Sequence, residues 1–217
     1  MSHSTPIDEV VVLVHGLGAN RLVMCPLARW LRQAGFRTVN WSYPSFLRTI
    51  ERHGLKLRER LERLDADPTV ARIHLVAHSM GCIVARQALV PGRPRKAGRF
   101  VMMAPPNQGS PLAAFFGPPL RWCFPTIDQL ARRPDSFVNG LPKPDEIEIG
   151  VIAAQVDWLV GVANTHLSCQ RDHIVVRGTH SLMVFQPGVA REVIEFLRQG
   201  RFTAASRRRG PRIAGRT

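Results

Sequence analysis

Short unbroken apolar runs alternate along this chain with longer segments whose apolar residues recur every three or four positions, the pattern of buried strands separated by amphipathic helices. Residues 10–14, all valine and leucine, are the first run. The segment 20–34 then places Leu22, Pro26, Leu27, Trp30 and Leu31 on one face, and Gly35 marks its end. A strand at 36–41 leads into a helix at 46–65, interrupted by Gly54, rich in arginine and glutamate at exposed spacings and closed by Asp67-Pro68. Residues 72–90 hold a strand and the helix after it, and 91–98 is a turn. Further strands are read at 100–104, 147–154 and 173–176, with a final helix at 189–198. This alternation predicts an α/β class: a mostly parallel sheet of about six strands covered by helices on both faces. With no internal repeat, 1–203 is expected to form a single domain.

Two junctions in this pattern carry chemistry. Ile73-His74-Leu75-Val76 gives way to an amphipathic stretch through Ala77-His78-Ser79-Met80-Gly81, which is strand, sharp turn, helix. A serine in such a turn has its hydroxyl lifted off the end of the sheet, where the first amides of the following helix also point. Gly81, and Ala77 in place of the usual first glycine, are small enough to let strand and helix approach. The second junction is the run 11–14 into His15-Gly16-Leu17-Gly18. A loop of this kind, together with the residue after the nucleophile, supplies backbone N–H groups for an oxyanion, here those of Leu17 and Met80.

On these residues the chain resembles the α/β-hydrolase family, and more narrowly its small bacterial lipases and esterases with little or no lid. The resemblance extends through the segment 104–110, with Pro105, Pro106, Gly109 and Ser110, and covers most of residues 9 to 203. It implies an α/β-hydrolase fold and a serine hydrolase acting on carboxylic esters, with no cofactor and no metal. Acyl transfer by the same acyl-enzyme is the runner-up. A catalytically silent fold that binds lipid or a protein partner is the reading from another class.

A serine hydroxyl needs a base, and the base an orienting acid. In this fold they follow in the order serine, acid, histidine. Asp157 stands just after the 147–154 strand, at the end of a parallel sheet where sites lie, and the family has an aspartate in an Asp-Gly-x-Val setting there. Here the setting is Asp157-Trp158-Leu159-Val160, and Asp172 or Asp145 remain alternatives. Of the eight histidines, His180 follows the 173–176 strand and precedes the last helix, where the family places its catalytic histidine; Thr179-His180-Ser181 matches that setting. His173 and His166 stand elsewhere in that region, and His53 and His74 precede the serine; His15 and His78 are assigned supporting roles beside the site.

Composition changes the picture in two places. The 217 residues, 45% of them hydrophobic, fit one domain with a sizeable core. The cysteines at 25, 82, 123 and 169 form no C-x-x-C pair and are read as reduced thiols, and no signal pattern or membrane-spanning stretch is evident, so a cytoplasmic location is expected. The net charge of +14 is carried almost wholly by arginine, since Lys56, Lys96 and Lys143 are the only lysines. Arg207, Arg208, Arg209, Arg212 and Arg216 fall in 204–217, a stretch without acid that is expected to be a disordered tail able to touch an anionic membrane surface. Without interleaved aromatics, nucleic-acid binding is not expected. Finally, 111–125 holds Phe115, Phe116 and Trp122 among several prolines, and these three are expected to form an acyl-binding wall for a small-molecule ester or lipid substrate.

Overall fold

The computed structural model describes residues 8–114, 125–133 and 135–203. Phe115, Phe116 and Trp122, and the basic segment 204–217, lie outside the described residues.

The described residues form six strands: β1 Glu9–Val14, β2 Arg37–Trp41, β3 Arg72–His78, β4 Ala97–Met103, β5 Glu148–Val156 and β6 Asp172–Thr179. Every neighbouring pair runs parallel, in the order β2-β1-β3-β4-β5-β6. Because all the hydrogen-bonding neighbours are parallel, each connection must cross over a face of the sheet, and both faces are consequently covered. Val10, Val12, Leu75 and Met102 pack with the helices Ile50–Ala66 and Met80–Leu89 on one side. Val11, Leu13, Val76 and Met103 pack with Cys25–Gln33 and Pro187–Gln199 on the other. The strand alternation thus divides one run, Val10 to Val14, between two cores.

The order reverses between β1 and β3. The chain leaves β1 toward β2 and leaves β3 toward β4, so the two loops diverge and a crevice opens at the carboxyl ends of those strands, the place where open parallel sheets hold their ligands. Both motifs singled out in the sequence end there.

Differences from the periodicity have local causes. The helix expected over 46–65 starts only at Ile50, because Phe46 and Leu47 belong to a turn in which Leu47 N–H donates to the Pro44 carbonyl (3.1 Å). Gly54 does not interrupt that helix: it is the point of closest approach to the Gln87 side chain of the neighbouring helix, which a β-carbon would strike. β4 begins at Ala97, within the residues read as a turn, since Gly98 fits against the His74 ring and its strand neighbours.

Four buried or half-buried histidines, His53, His74, His78 and His173, are held neutral, each pushed down to about 4 chiefly by burial. An unfolded chain takes up those protons near the usual imidazole value of 6.5, so the stability they confer is complete above that pH and is lost between 6.5 and about 4. Thermal melting followed across this window is expected to show Tm falling by on the order of 10 °C. A Tm independent of pH between 6.5 and 4 would contradict the neutral burial of these rings.

Candidate active site

β3 ends in a turn so tight that Ser79 adopts φ 54° and ψ −128°, a positive φ that a non-glycine residue holds only when its surroundings enforce it. Here the Ser79 N–H is fixed to the Met103 carbonyl (2.9 Å), while its own carbonyl accepts from Cys82 N–H (2.9 Å). Gly81 is required by close approach: a β-carbon there would meet the Val14 carbonyl oxygen at 2.6 Å and that of His15 nearer still. Gly16 likewise faces the serine, with a β-carbon reaching Ser79 Cβ at 3.0 Å. The two small residues bring the β1 loop and the serine turn into contact.

His180 follows β6 and reaches across the crevice. Its Nε2 lies 2.8 Å from Ser79 Oγ, and its Nδ1 lies 2.8 Å from Asp157 Oδ2. With Nδ1 donating to the carboxylate, Nε2 is left to accept from the serine hydroxyl. The other carboxylate oxygen, Asp157 Oδ1, accepts from Leu159 N–H (3.0 Å) and Val160 N–H (2.9 Å). Burial works to raise the Asp157 carboxyl, but the hydrogen bond and charge of His180 and these two amides outweigh it and hold it below its ordinary value. Trp158 stands where the family motif has glycine; its side chain points to solvent, and the positive φ of this loop falls on Gly161 instead. Ser110 Oγ donates to the Leu159 carbonyl (2.6 Å), pinning the loop from β4's side.

The alternative acids are remote from this relay. Asp172 opens β6 at the far end of the sheet, accepting from His173 and Phe202 N–H. Asp145 precedes β5, near the Lys143 turn. His166 and His173 stack on one another at 4.1 Å, with His173 Nε2 at Thr165 Oγ1 (3.0 Å). His53 belongs to the helix Ile50–Ala66, its ring 4.6 Å from that of Tyr43, and His74 lies beside Glu9.

Met80 opens its helix, so its N–H precedes the intrahelical ladder. Leu17 follows a peptide whose orientation is locked: His15 Nδ1 donates to the Gly16 carbonyl (2.9 Å), leaving the Leu17 N–H on the opposite side of the same trans peptide plane. His15 is itself held by Tyr43, whose N–H donates to Nε2 (3.3 Å) and whose hydroxyl donates to the His15 carbonyl (2.8 Å), while the two rings stack at 4.4 Å. Gly18 N–H donates to Ser45 Oγ (3.0 Å), steadying the same loop. Tyr43 and Ser45 carry no motif, which is why sequence reasoning missed them; Ser110 stands in the 104–110 segment that carries the resemblance, but its bond to the Leu159 carbonyl could not be read there.

His78 also acquires a definite task. Its Nε2–H donates to the backbone carbonyl of His180 (2.9 Å), tying the loop that bears one ring to the strand that bears the serine. Burial keeps this imidazole neutral, pushed down to about 4. For the ester hydrolysis expected from the sequence, His78→Leu should lower kcat on a soluble ester on the order of tenfold to a hundredfold with KM little changed, because a small displacement of His180 spoils its alignment. His78→Gln, which can offer a donor at similar reach, is expected to recover much of the loss. Equal activity in His78→Leu and wild type would remove the role.

A sequence model for the alpha/beta hydrolase family matches residues 11–208. The chain belongs to this family. No curated protein matches its sequence. Among solved structures, it is similar to the mature form of the lipase BlEst2 of Bacillus licheniformis, at 15% identity and TM-score 0.69, with 84% of this chain and 89% of that one covered. Lipase B of Aspergillus fumigatus gives 15% identity and TM-score 0.71, covering 92% of this chain and 55% of that one. The type II thioesterase BorB of the borrelidin biosynthetic cluster gives 16% and 0.63, covering 89% and 93%. At such identities the likeness is one of fold. Among the described residues no helix is long and apolar enough to cross a membrane, and Cys25, Cys82 and Cys169 are free thiols.

Proposed function

We propose that this member of the alpha/beta hydrolase family is a serine hydrolase that cleaves carboxylic esters through an acyl-enzyme on Ser79. The observation that carries the reading is the unbroken relay from Asp157 through His180 to Ser79, with both links at 2.8 Å. His180 Nε2 takes the Ser79 proton as Oγ attacks the ester carbonyl, and returns it to the departing alcohol oxygen. Asp157 fixes the imidazole tautomer and balances the imidazolium, and the N–H groups of Leu17 and Met80 receive the negative charge that develops on the carbonyl oxygen. Water then attacks the acyl carbonyl as His180 Nε2 takes its proton, and collapse breaks the bond to Ser79 Oγ, which recovers that proton from His180 as the acid leaves. Fold neighbours that are lipases and a thioesterase agree with an acyl substrate, a small-molecule ester or lipid.

The test is labelling with a fluorophosphonate, followed by peptide mapping, alongside release of nitrophenol from short and medium-chain esters. A label on Ser79 with turnover supports the reading. If the serine is labelled but an added alcohol captures most of the acyl group even in dilute solution, acyl transfer replaces hydrolysis. Absence of both label and turnover would leave only a binding role for the fold.

A further inference from the structure

The two ends of the sheet differ in chemistry. At the amino ends of the strands, ion pairs dominate: Asp8 with Arg37, Glu9 with Arg72, and Glu148 between Arg99 and Arg171. At the carboxyl ends, where Ser79 stands, the described segments expose large apolar side chains. Every large hydrophobic side chain exposed among the described residues, save Leu55 on a helix and Val90 at a helix end, belongs to the end of β5 or to segments that follow the carboxyl ends of strands. Leu22 follows β1, Leu47 follows β2, Trp158 follows β5, and Leu182 and Phe185 follow β6. Their exposure is substantial, 75% for Leu47, 86% for Trp158 and 59% for Leu182. Scattered singly such residues need no explanation; gathered from separate loops at the end of the sheet that holds Ser79 they mark a contact surface.

Among the exposed charges of the same segments arginine predominates. Arg21, Arg48 and Arg132 are exposed beside the apolar residues. Of the acids in the described segments at this end, Asp128 lies against Arg133 (3.0 Å), Glu51 accepts from Gln129 and Asp157 is buried against His180, while Asp135 is exposed. Apolar side chains fringed by arginine are what an anionic lipid surface accepts, the former entering among the acyl chains and the latter resting at the headgroups.

We propose that this rim docks the protein on an anionic lipid surface with the mouth of the Ser79 crevice facing the bilayer, so that acyl substrates are taken from the membrane plane. That the crevice is a reaction site rests on the function proposed above; that the rim binds lipid does not. The experiment is co-sedimentation of the full chain at low salt with phosphatidylcholine vesicles containing phosphatidylglycerol, against vesicles of phosphatidylcholine alone. Wild type is expected to partition to the anionic vesicles. The double variant Leu47→Ser, Leu182→Ser should lose about tenfold or more in partition coefficient while melting within a few degrees of wild type. Arg48→Gln should bind less tightly and with a shallower dependence on salt. Failure of wild type to sediment, or equal binding by the double variant, overturns the proposal. So does a wild-type dimer in solution that the double variant dissolves, which would make the rim an interface between two copies. Vesicle binding through the rim by a chain that neither takes a fluorophosphonate label nor turns over ester would uphold the docking surface and sink the hydrolase reading.

Discussion

Ser79→Ala is expected to abolish turnover of nitrophenyl esters, with a loss on the order of a million-fold in kcat, because the amides and the crevice that remain have no nucleophile to assist. The substitution is well suited to the question. Alanine keeps the β-carbon that faces Gly16 and bears the same positive φ as serine, so only the hydroxyl that hydrogen-bonds His180 disappears. Removing one polar group that is not fully buried should move Tm by no more than a few degrees. The measurement is the initial rate at saturating ester, together with loss of the fluorophosphonate label. A variant retaining a tenth of wild-type activity would show that some other group attacks the ester, and the strained turn at Ser79 would then need a different explanation.

The fold was legible because its signals are local. An unbroken run such as Val10 to Val14 can be read without knowing its neighbours, and it is buried on both faces as such runs are in parallel sheets. The serine turn and the His15-Gly16 loop were legible for a related reason: close approach of backbones leaves a mark in small residues, Gly16 and Gly81, at fixed offsets from the group that matters. Element starts were less so. Phe46 and Leu47 continue an apolar period yet sit outside the helix, since periodicity does not distinguish a side chain facing the core from one facing solvent beyond a helix start. The groups that hold the site in shape were the least legible. Tyr43 orients His15 through bonds spanning 28 residues, and His78 reaches the His180 carbonyl across 102, distances at which no spacing rule operates. The arginine-fringed rim has the same character: Leu22, Leu47, Trp158 and Leu182 are unremarkable one at a time in the sequence and become a surface only when the crossover connections bring their loops to one end of the sheet.

Asp157→Asn provides the sharpest separation among acids that sequence order alone left open. An amide in this position can present its NH₂ to His180 Nδ1, which stabilises the tautomer whose Nε2 carries a proton and cannot accept one from Ser79; it also leaves the imidazolium formed during attack without its counter-charge. The equivalent change in a serine protease costs about 10⁴ in kcat, and a loss of similar order is expected here. The carbonyl oxygen of the asparagine can still accept from Leu159 and Val160 N–H, so the loop should keep its shape and the protein should remain folded. Asp172→Asn should change turnover by no more than about twofold, since its partners are the His173 and Phe202 amides at the opposite end of β6 and its effect is one of stability. The two variants are compared by kcat on a soluble ester over a pH range that spans imidazole titration. Should Asp172→Asn be the inactive one and Asp157→Asn the active one, the 2.8 Å contact between Asp157 and His180 would have no part in the chemistry, and the loop from Asp157 to Val160 would serve only to hold the end of β5 in place.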